Sequence, residues 1–286
     1  MNKIKVTALL LIILIQSISI PVPNTYAATT PGFGDAASFG ILSSTYTNTA
    51  IGTTIDGDLG YTTGPAVAPT VTGTTYVADA TYAQAGLDQA AALSALNAEP
   101  CDFPFGSATD LSLLSQPLAP GVYCVTGAAS IGAGGITLSG SGTYIFRIDG
   151  ALTTVANSVV TLAGGASSCD VFWTPTAATT LGANSIFEGT DIDDSGITIG
   201  STVTWTGRAL AFGGTISTTT DTITVPTCLA AAVPTPTSTS TITSVPQFPN
   251  TGISPDENNI PWNIVIPAGV IAVSILFTVA WRKKII

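Results

Sequence analysis

From residue 151 to residue 225 the hydrophobic pattern repeats. Residues 180–189 read TLGANSIFEG, and residues 198–207, 18 positions on, read TIGSTVTWTG. Each copy opens Thr-aliphatic-Gly, carries an aromatic at its eighth place (Phe187, Trp205) and closes on glycine. Residues 151–162 (ALTTVANSVVTL) and 215–224 (TISTTTDTIT) are looser copies. Small and β-branched residues at a fixed period are the signature of stacked coils, each burying its inner face only against its neighbours. A repeat of 18 residues suits a coil of three short strands with corners between them. Thr, Val, Ile and Gly fill the segment, so a helical reading is excluded. The pattern predicts a mainly β protein, a β-solenoid.

Upstream, residues 130–148 alternate, with Ile136, Leu138, Tyr144, Phe146 and Ile148 on one side. Residues 79–98 (DATYAQAGLDQAAALSALNA) form the one clear helix. Ala83, Leu87, Ala90, Leu93 and Leu96 give an apolar stripe, Asp79 caps the start and Pro100 limits the end. A lone helix in a β-rich chain must lay its stripe on something, and one flank of the solenoid is the expected partner.

The ends of the chain carry a different pattern. Lys3 and Lys5 precede an apolar run, 6–20, and a small-residue site ending at Ala27, which predicts a secretory signal peptide over 1–27. Residues 229–247 lack a core-forming pattern and predict an extended Pro/Ser/Thr stalk. Beyond Phe248-Pro249-Asn250-Thr251-Gly252, residues 260–281 are apolar enough to span a bilayer, and Arg282-Lys283-Lys284 places the C-terminus in the cytoplasm. Motif, transmembrane helix and basic tail over 248–286 resemble the cell-wall sorting signal that sortases read, with Phe248 where Leu is usual. That resemblance implies a sortase and peptidoglycan as partners and a membrane span before processing; the alternative is a plain membrane anchor. Either way the chain is expected to be secreted and anchored, with 28–228 outside the cell.

Charge narrows the function. The formal net charge is -10, and between residues 28 and 247 only Arg147 and Arg208 face fifteen acids. Such a surface does not attract nucleic acid. There is no histidine, so the usual general base and the commonest metal ligand are both missing. No cofactor, no metal and no enzymatic activity are expected. The phrase DIDDSG (191–196) superficially resembles a calcium loop but lacks the downstream bidentate Glu, and is read as an acidic solvated corner. Asp56-Gly57-Asp58 is read as a turn. An even number of cysteines (Cys101, Cys124, Cys169, Cys228) entering an oxidising compartment favours two disulfides.

The order of motifs from about Ala36 to Cys228 resembles the bacterial and fungal ice-binding protein family with a discontinuous β-solenoid. The matching stretches are SFGILSSTYTNT, DGDLG, the helix start ADATYAQAGLD, PLAPGVYC, TYIFRIDGALTT, CDVFW, TLGANSIFEG, TGRALA and DTITVPTC. The resemblance implies a right-handed, three-faced solenoid with a long helix along one face. It also implies ice as the partner, bound through a flat Thr/Ser/Asn-rich face. The family's loose Thr-small-x-Thr/Asn phrase is matched at its ends by 154–157, fairly by 201–204 and poorly by 183–186. It is out of register in the Thr-rich 218–222. The candidate face is therefore Thr154, Asn157, Asn184, Ser185, Ser201, Thr202, Thr204, Thr219, Thr220 and Thr222, with Thr174 on a different exposed face. An adhesin binding a glycan or another surface on the same scaffold is the alternative. Of the three possible cysteine pairings, Cys101–Cys124 is expected to tie the helix exit to a nearby strand, and Cys169–Cys228 to tie the 168–173 region to the last coil.

Overall fold

A computed structural model of the chain describes residues 28–228. The readings made for 1–27 and 229–286 lie outside the described residues. Among the described residues no helix is long and apolar enough to cross a membrane.

Parallel strands build three sides of a coil stack. The repeat register is the one read from the 18-residue period: Thr180 pairs with Thr198, Leu181 with Ile199, and Phe187 with Trp205. The first side contains Gly121–Val125, the opening residues of Tyr144–Thr154 and Val171–Leu181, the later part of Ile186–Ile192, and the middle of Thr204–Thr218. The second side contains Ala129–Ile131, the ends of those long strands and Ile197–Ile199. Ile136–Ser139, Val160–Ala163, the start of Ile186–Ile192 and Thr222–Thr224 lie on the third.

Inside, alternate residues interlock. Ile136, Leu138, Tyr144, Phe146 and Ile148 are all buried there, as their alternation predicts. Phe103, Tyr123, Phe146, Trp173, Phe187 and Trp205 form one continuous aromatic column with neighbouring centroids 4.1–5.2 Å apart. Each such contact adds to the burial itself, and together they hold the coils in register.

Chain order and spatial order differ. The N-terminal strands stack beyond the last C-terminal coil: Thr222 pairs with Thr54, and Thr54 with Thr70. Phe39–Asn48 likewise pairs with Thr204–Thr218. The helix Ala80–Ala98 then leads to the opposite end of the stack, where Phe103–Phe105 begins the other run of coils. Sequence alone does not disclose that crossover, because it rests on contacts between residues about as far apart as the domain allows.

Asp79 caps the helix as expected, accepting from Tyr82 N at 2.8 Å. The buried stripe, however, is Tyr82, Ala85, Gly86, Gln89, Ala92 and Leu96, and Leu87 is 66% exposed. Ala83 and Ala90 also face solvent, and Leu93 is half-buried. The cause is close packing on the first side of the coil, against Leu42, Val122, Ile145, Phe172, Ile192 and Leu210. A Cβ at Gly86 would lie 2.4 Å from the Phe212 ring. Gln89 is buried because its amide donates to Asp194 Oδ1 at 2.9 Å and its oxygen accepts from Phe212 N at 3.2 Å. Fit and hydrogen bonding select this stripe over the more hydrophobic one.

Both disulfides form as paired above, Cys101–Cys124 and Cys169–Cys228. The acidic corner requires a correction. Asp191 and Asp193 point into the solenoid and are buried; only Asp194 is exposed. Asp193 accepts from Thr179 N and Ser195 N, both at 2.8 Å. Neither oxygen of Asp191 has a hydrogen-bond partner, although Thr179 lies beside it. Burial, reinforced by the neighbouring Asp193, pushes the Asp191 carboxyl well above its usual value of 3.8.

Candidate functional site

The first side is covered by the helix, which leaves the second and third open. In a strand every other residue points outward, and on the second side those residues form a ladder. Ser130 pairs with Thr153, Thr153 with Thr180, Thr180 with Thr198, Thr198 with Ser217, and Ser217 with Thr47. Thr153, Thr180 and Thr198 are exposed and the other three half-buried. Neighbouring rungs stand about 4.7–4.9 Å apart, the spacing of paired strands. The first rung is flanked by Asp110, and Thr47 Oγ1 donates to Ser217 Oγ at 2.8 Å at the other end.

Small residues keep this side level. Two positions before the ladder stand Ala128, Ala151, Ala178, Gly196, Thr215 and Thr45; two positions after it stand Gly132, Val155, Gly182, Gly200, Thr219 and Thr49. None of these is charged. Gly182 and Gly200 are required by close approach: a Cβ would lie 2.4 Å from Ala156 N and 2.6 Å from Leu181 O respectively, so adjacent corners touch through backbone.

The third side is mixed. Its outward column runs Val159, Ile186, Thr204, Thr222, Thr54, Thr70, and the next column contains Glu188 and Asp56. Burial raises the Glu188 carboxyl above its usual range, and Ser168 Oγ donates to it. Val159, Ile186 and the carboxylates interrupt this face across its middle, whereas on the second side Asp110 stands beyond the first rung and Val155 is the one large exposed aliphatic beside the ladder.

The ten residues picked from sequence divide among several places. Asn157, Asn184, Ser201, Thr202, Thr219 and Thr220 form the ridge between the two open sides, Thr204 and Thr222 lie on the third side, and Thr154 and Ser185 are buried. The last two are a correction. Thr154 Oγ1 and Ser185 Oγ are 3.3 Å apart, Thr154 accepts from Gly182 N, and Ser185 donates to Gly182 O, so both hydroxyls tie adjacent corners together from within. Thr174 is also buried, donating to Asn97 Oδ1 beneath the helix end, and cannot represent a different exposed face.

The phrase alignment changes with the register. Asn157 N donates to Ala183 O, Asn184 N to Ser201 O, and Thr202 Oγ1 to Asn184 Oδ1. The equivalent phrases are thus 154–157, 181–184 and 199–202, two residues earlier in the last two cases than the sequence comparison placed them. The ladder itself was missed, although its signal was present: Thr180 and Thr198 are the first residues of the two clearest repeats.

Asn157, Asn184 and Thr202 all adopt left-handed backbone, with φ of 63°, 58° and 59°. Asparagine tolerates that region, whereas a β-branched residue is strained there. Thr202→Asn is expected to raise stability by about 1 kcal/mol, roughly 2–4 °C in Tm for a domain of this size. Thermal melts of the two proteins check this, and an unchanged or lower Tm would show that the Thr202 hydroxyl matters more than the strain.

Among the described residues no group of three or more His, Cys, Asp or Glu side chains is arranged to hold a metal. The open sides present hydroxyls at the period of the strands.

Comparison with known proteins follows the same lines. The family model described as Ice-binding-like matches residues 41–224. An ice-binding protein of Flavobacterium frigoris is 32% identical over 213 residues, covering 68% of this chain and 75% of its own length. One from a Nostoc species is 33% identical over 210 residues, covering 69% and 75%. Among solved structures, an ice-binding protein from an Antarctic biological consortium superposes with TM-score 0.65 at 26% identity, covering 70% of this chain and 93% of that one. The ice-binding protein of the ascomycete Antarctomyces psychrotrophicus gives 0.62 at 28%, covering 70% and 100%.

Proposed function

The chain belongs to the ice-binding-like family, and from that premise we propose that it adsorbs to ice through the second side of its solenoid and restrains ice growth or holds the cell at ice. One observation carries the choice of face: the Ser130–Thr153–Thr180–Thr198–Ser217–Thr47 ladder crosses six neighbouring strands without a charged residue at any rung. A threonine hydroxyl can hold a water while its methyl discourages the varied hydrogen bonding of liquid water. Repetition at the strand spacing turns single weak contacts into a lattice-like grid. Charged groups would organise water in shells incompatible with ice, which weighs against the third side. The ridge residues Asn157, Asn184, Ser201 and Thr202 border this grid and extend it.

Recrystallisation provides the test. Residues 28–228 in a frozen sucrose solution should keep ice grains small at concentrations where an ordinary acidic protein does not. Coarsening at the control rate would return the reading to an adhesin of glycans or other surfaces.

The right-handed sense of the coil and the sorting signal belong to the same proposal. A secreted domain on a stalk, joined to peptidoglycan by a sortase at Thr251, is supported by the motif 248–252 preceding the apolar run 260–281 and three basic residues. Thr251→Ala is expected to move the protein from the wall fraction to the membrane fraction. Wild-type protein released by detergent with its apolar run intact would favour the plain membrane anchor.

A further inference from the structure

The two disulfides differ in what surrounds their sulfur atoms. In Cys101–Cys124 the exposed partner is Cys101, directly after the helix, and Cys124 is half-buried on the helix-covered side. Arg147 Nη2 lies 3.1 Å from Cys124 Sγ. The guanidinium is held independently of the disulfide, because Nη1 donates to Asn97 O at 2.7 Å and Glu99 O at 2.8 Å at the end of the helix. In Cys169–Cys228 the arrangement is reversed. Arg208 approaches the sulfur of the exposed residue, Cys228, at 4.0 Å, while the half-buried Cys169 stands next to Asp170.

Thiol–disulfide exchange depends on access to the attacked sulfur and on how well the departing sulfur carries negative charge. Fast exchange is favoured when the more exposed cysteine is one partner and the cation faces the other; Cys101 is the exposed residue, its Sγ 3.9 Å from Val122 O. Cys101–Cys124 meets that condition; in Cys169–Cys228 the nearest cation sits on the wrong partner.

We propose that Cys101 is a thiolation site, taking up low-molecular-weight thiols by exchange with its disulfide to Cys124. A thiolate RS⁻ attacks Cys101 Sγ, the Cys101–Cys124 bond breaks, and its electron pair leaves on Cys124 Sγ. The products are the mixed disulfide RS–Cys101 and a Cys124 thiolate facing the Arg147 guanidinium. One disulfide and one thiolate are consumed and one of each is formed, so no oxidant or reductant is required. The helix stays docked throughout, since Arg147 keeps its two carbonyls and Gln89 its contacts with Asp194 and Phe212. The modified protein therefore remains folded.

The test uses the full-length chain and glutathione as the probe thiol, with free thiols alkylated at intervals and peptides mapped by mass spectrometry. Glutathione should appear on Cys101 and the alkyl group on Cys124, on the order of tenfold faster than either appears at Cys169 or Cys228. Arg147→Gln should slow the reaction several-fold, and Arg147→Lys should restore part of the rate. Glutathione on Cys124 instead, or earlier opening of Cys169–Cys228, would overturn the proposal without recourse to a variant. An unchanged or faster rate in Arg147→Gln would also overturn it, by showing that the guanidinium acts only as a clamp on the helix.

Discussion

Thr180→Tyr is expected to remove most of the ice activity while leaving the Tm nearly unchanged. Thr180 is a middle rung of the hydroxyl ladder and exposed, with Thr153 on one side and Thr198 on the other. A phenol ring there stands above a plane of threonines, alanines and glycines. It holds water off the rungs beside it as well as off its own. Because adsorption sums many weak contacts over a flat area, lifting the surface away from ice costs far more than deleting one group. Thr180→Ser keeps the hydroxyl and loses a methyl, at most about 0.8 kcal/mol of apolar contact, and should be mild. Ser94→Tyr on the exposed side of the helix is the control and should leave activity intact. Thr204→Tyr separates the two open faces: it should do little if the second side binds ice. A greater loss there than at Thr180 would transfer the site to the third side. Recrystallisation assays with thermal melts on the same four variants check every arm.

The second large effect lies inside the coil. Asp191→Leu is expected to stabilise the protein at neutral pH by about 1–3 kcal/mol, the cost of a buried polar group left without a partner. Asp191 is fully buried with both oxygens unpaired, and burial followed by Asp193 raises its carboxyl well above 3.8. The fold therefore binds this proton more tightly than the unfolded chain does. Stability from that source is fully present below the unfolded value near 3.8, and is lost as the pH rises through the raised folded value. Asp193, Glu188 and Asp221 are shifted in the same direction, chiefly by burial, and steepen the same slope. Melts between pH 4 and pH 8 should show the wild type losing stability as pH rises and Asp191→Leu losing less, so that the gap between them narrows toward the acid end, where the neutral carboxyl is still buried without a partner. Asp191→Asn should flatten the slope likewise, with a smaller gain because its amide stays unpaired. A lower Tm for Asp191→Leu across the whole range would mean that the carboxyl is satisfied within the fold.

These two positions show what the sequence conveyed and what it concealed. The period of 18 between Thr180 and Thr198 was enough to establish coils, their register and the pairing of Phe187 with Trp205. Periodicity speaks for the strand and not for the face, so Thr154 and Ser185 were assigned to the surface although they bond across the corners inside. Asp191 looked like a solvated acid because charge usually is, and nothing local reveals that its strand turns it inward. The helix was legible in extent and cap. Its buried stripe was not, because an alanine-rich helix offers several stripes and the choice depends on Phe212 and Asp194, more than a hundred residues away. The stacking of Thr54 on Thr222, 168 residues apart, lies wholly outside local pattern.

Ice-affinity partitioning tests the central claim most directly. A dilute solution of residues 28–228 is frozen slowly onto a cold surface, and protein is measured in the ice and in the remaining liquid. Adsorption through the ladder predicts wild-type protein enriched in the ice and Thr180→Tyr left in the liquid. Wild-type protein excluded from the growing ice, like an ordinary solute, would contradict it.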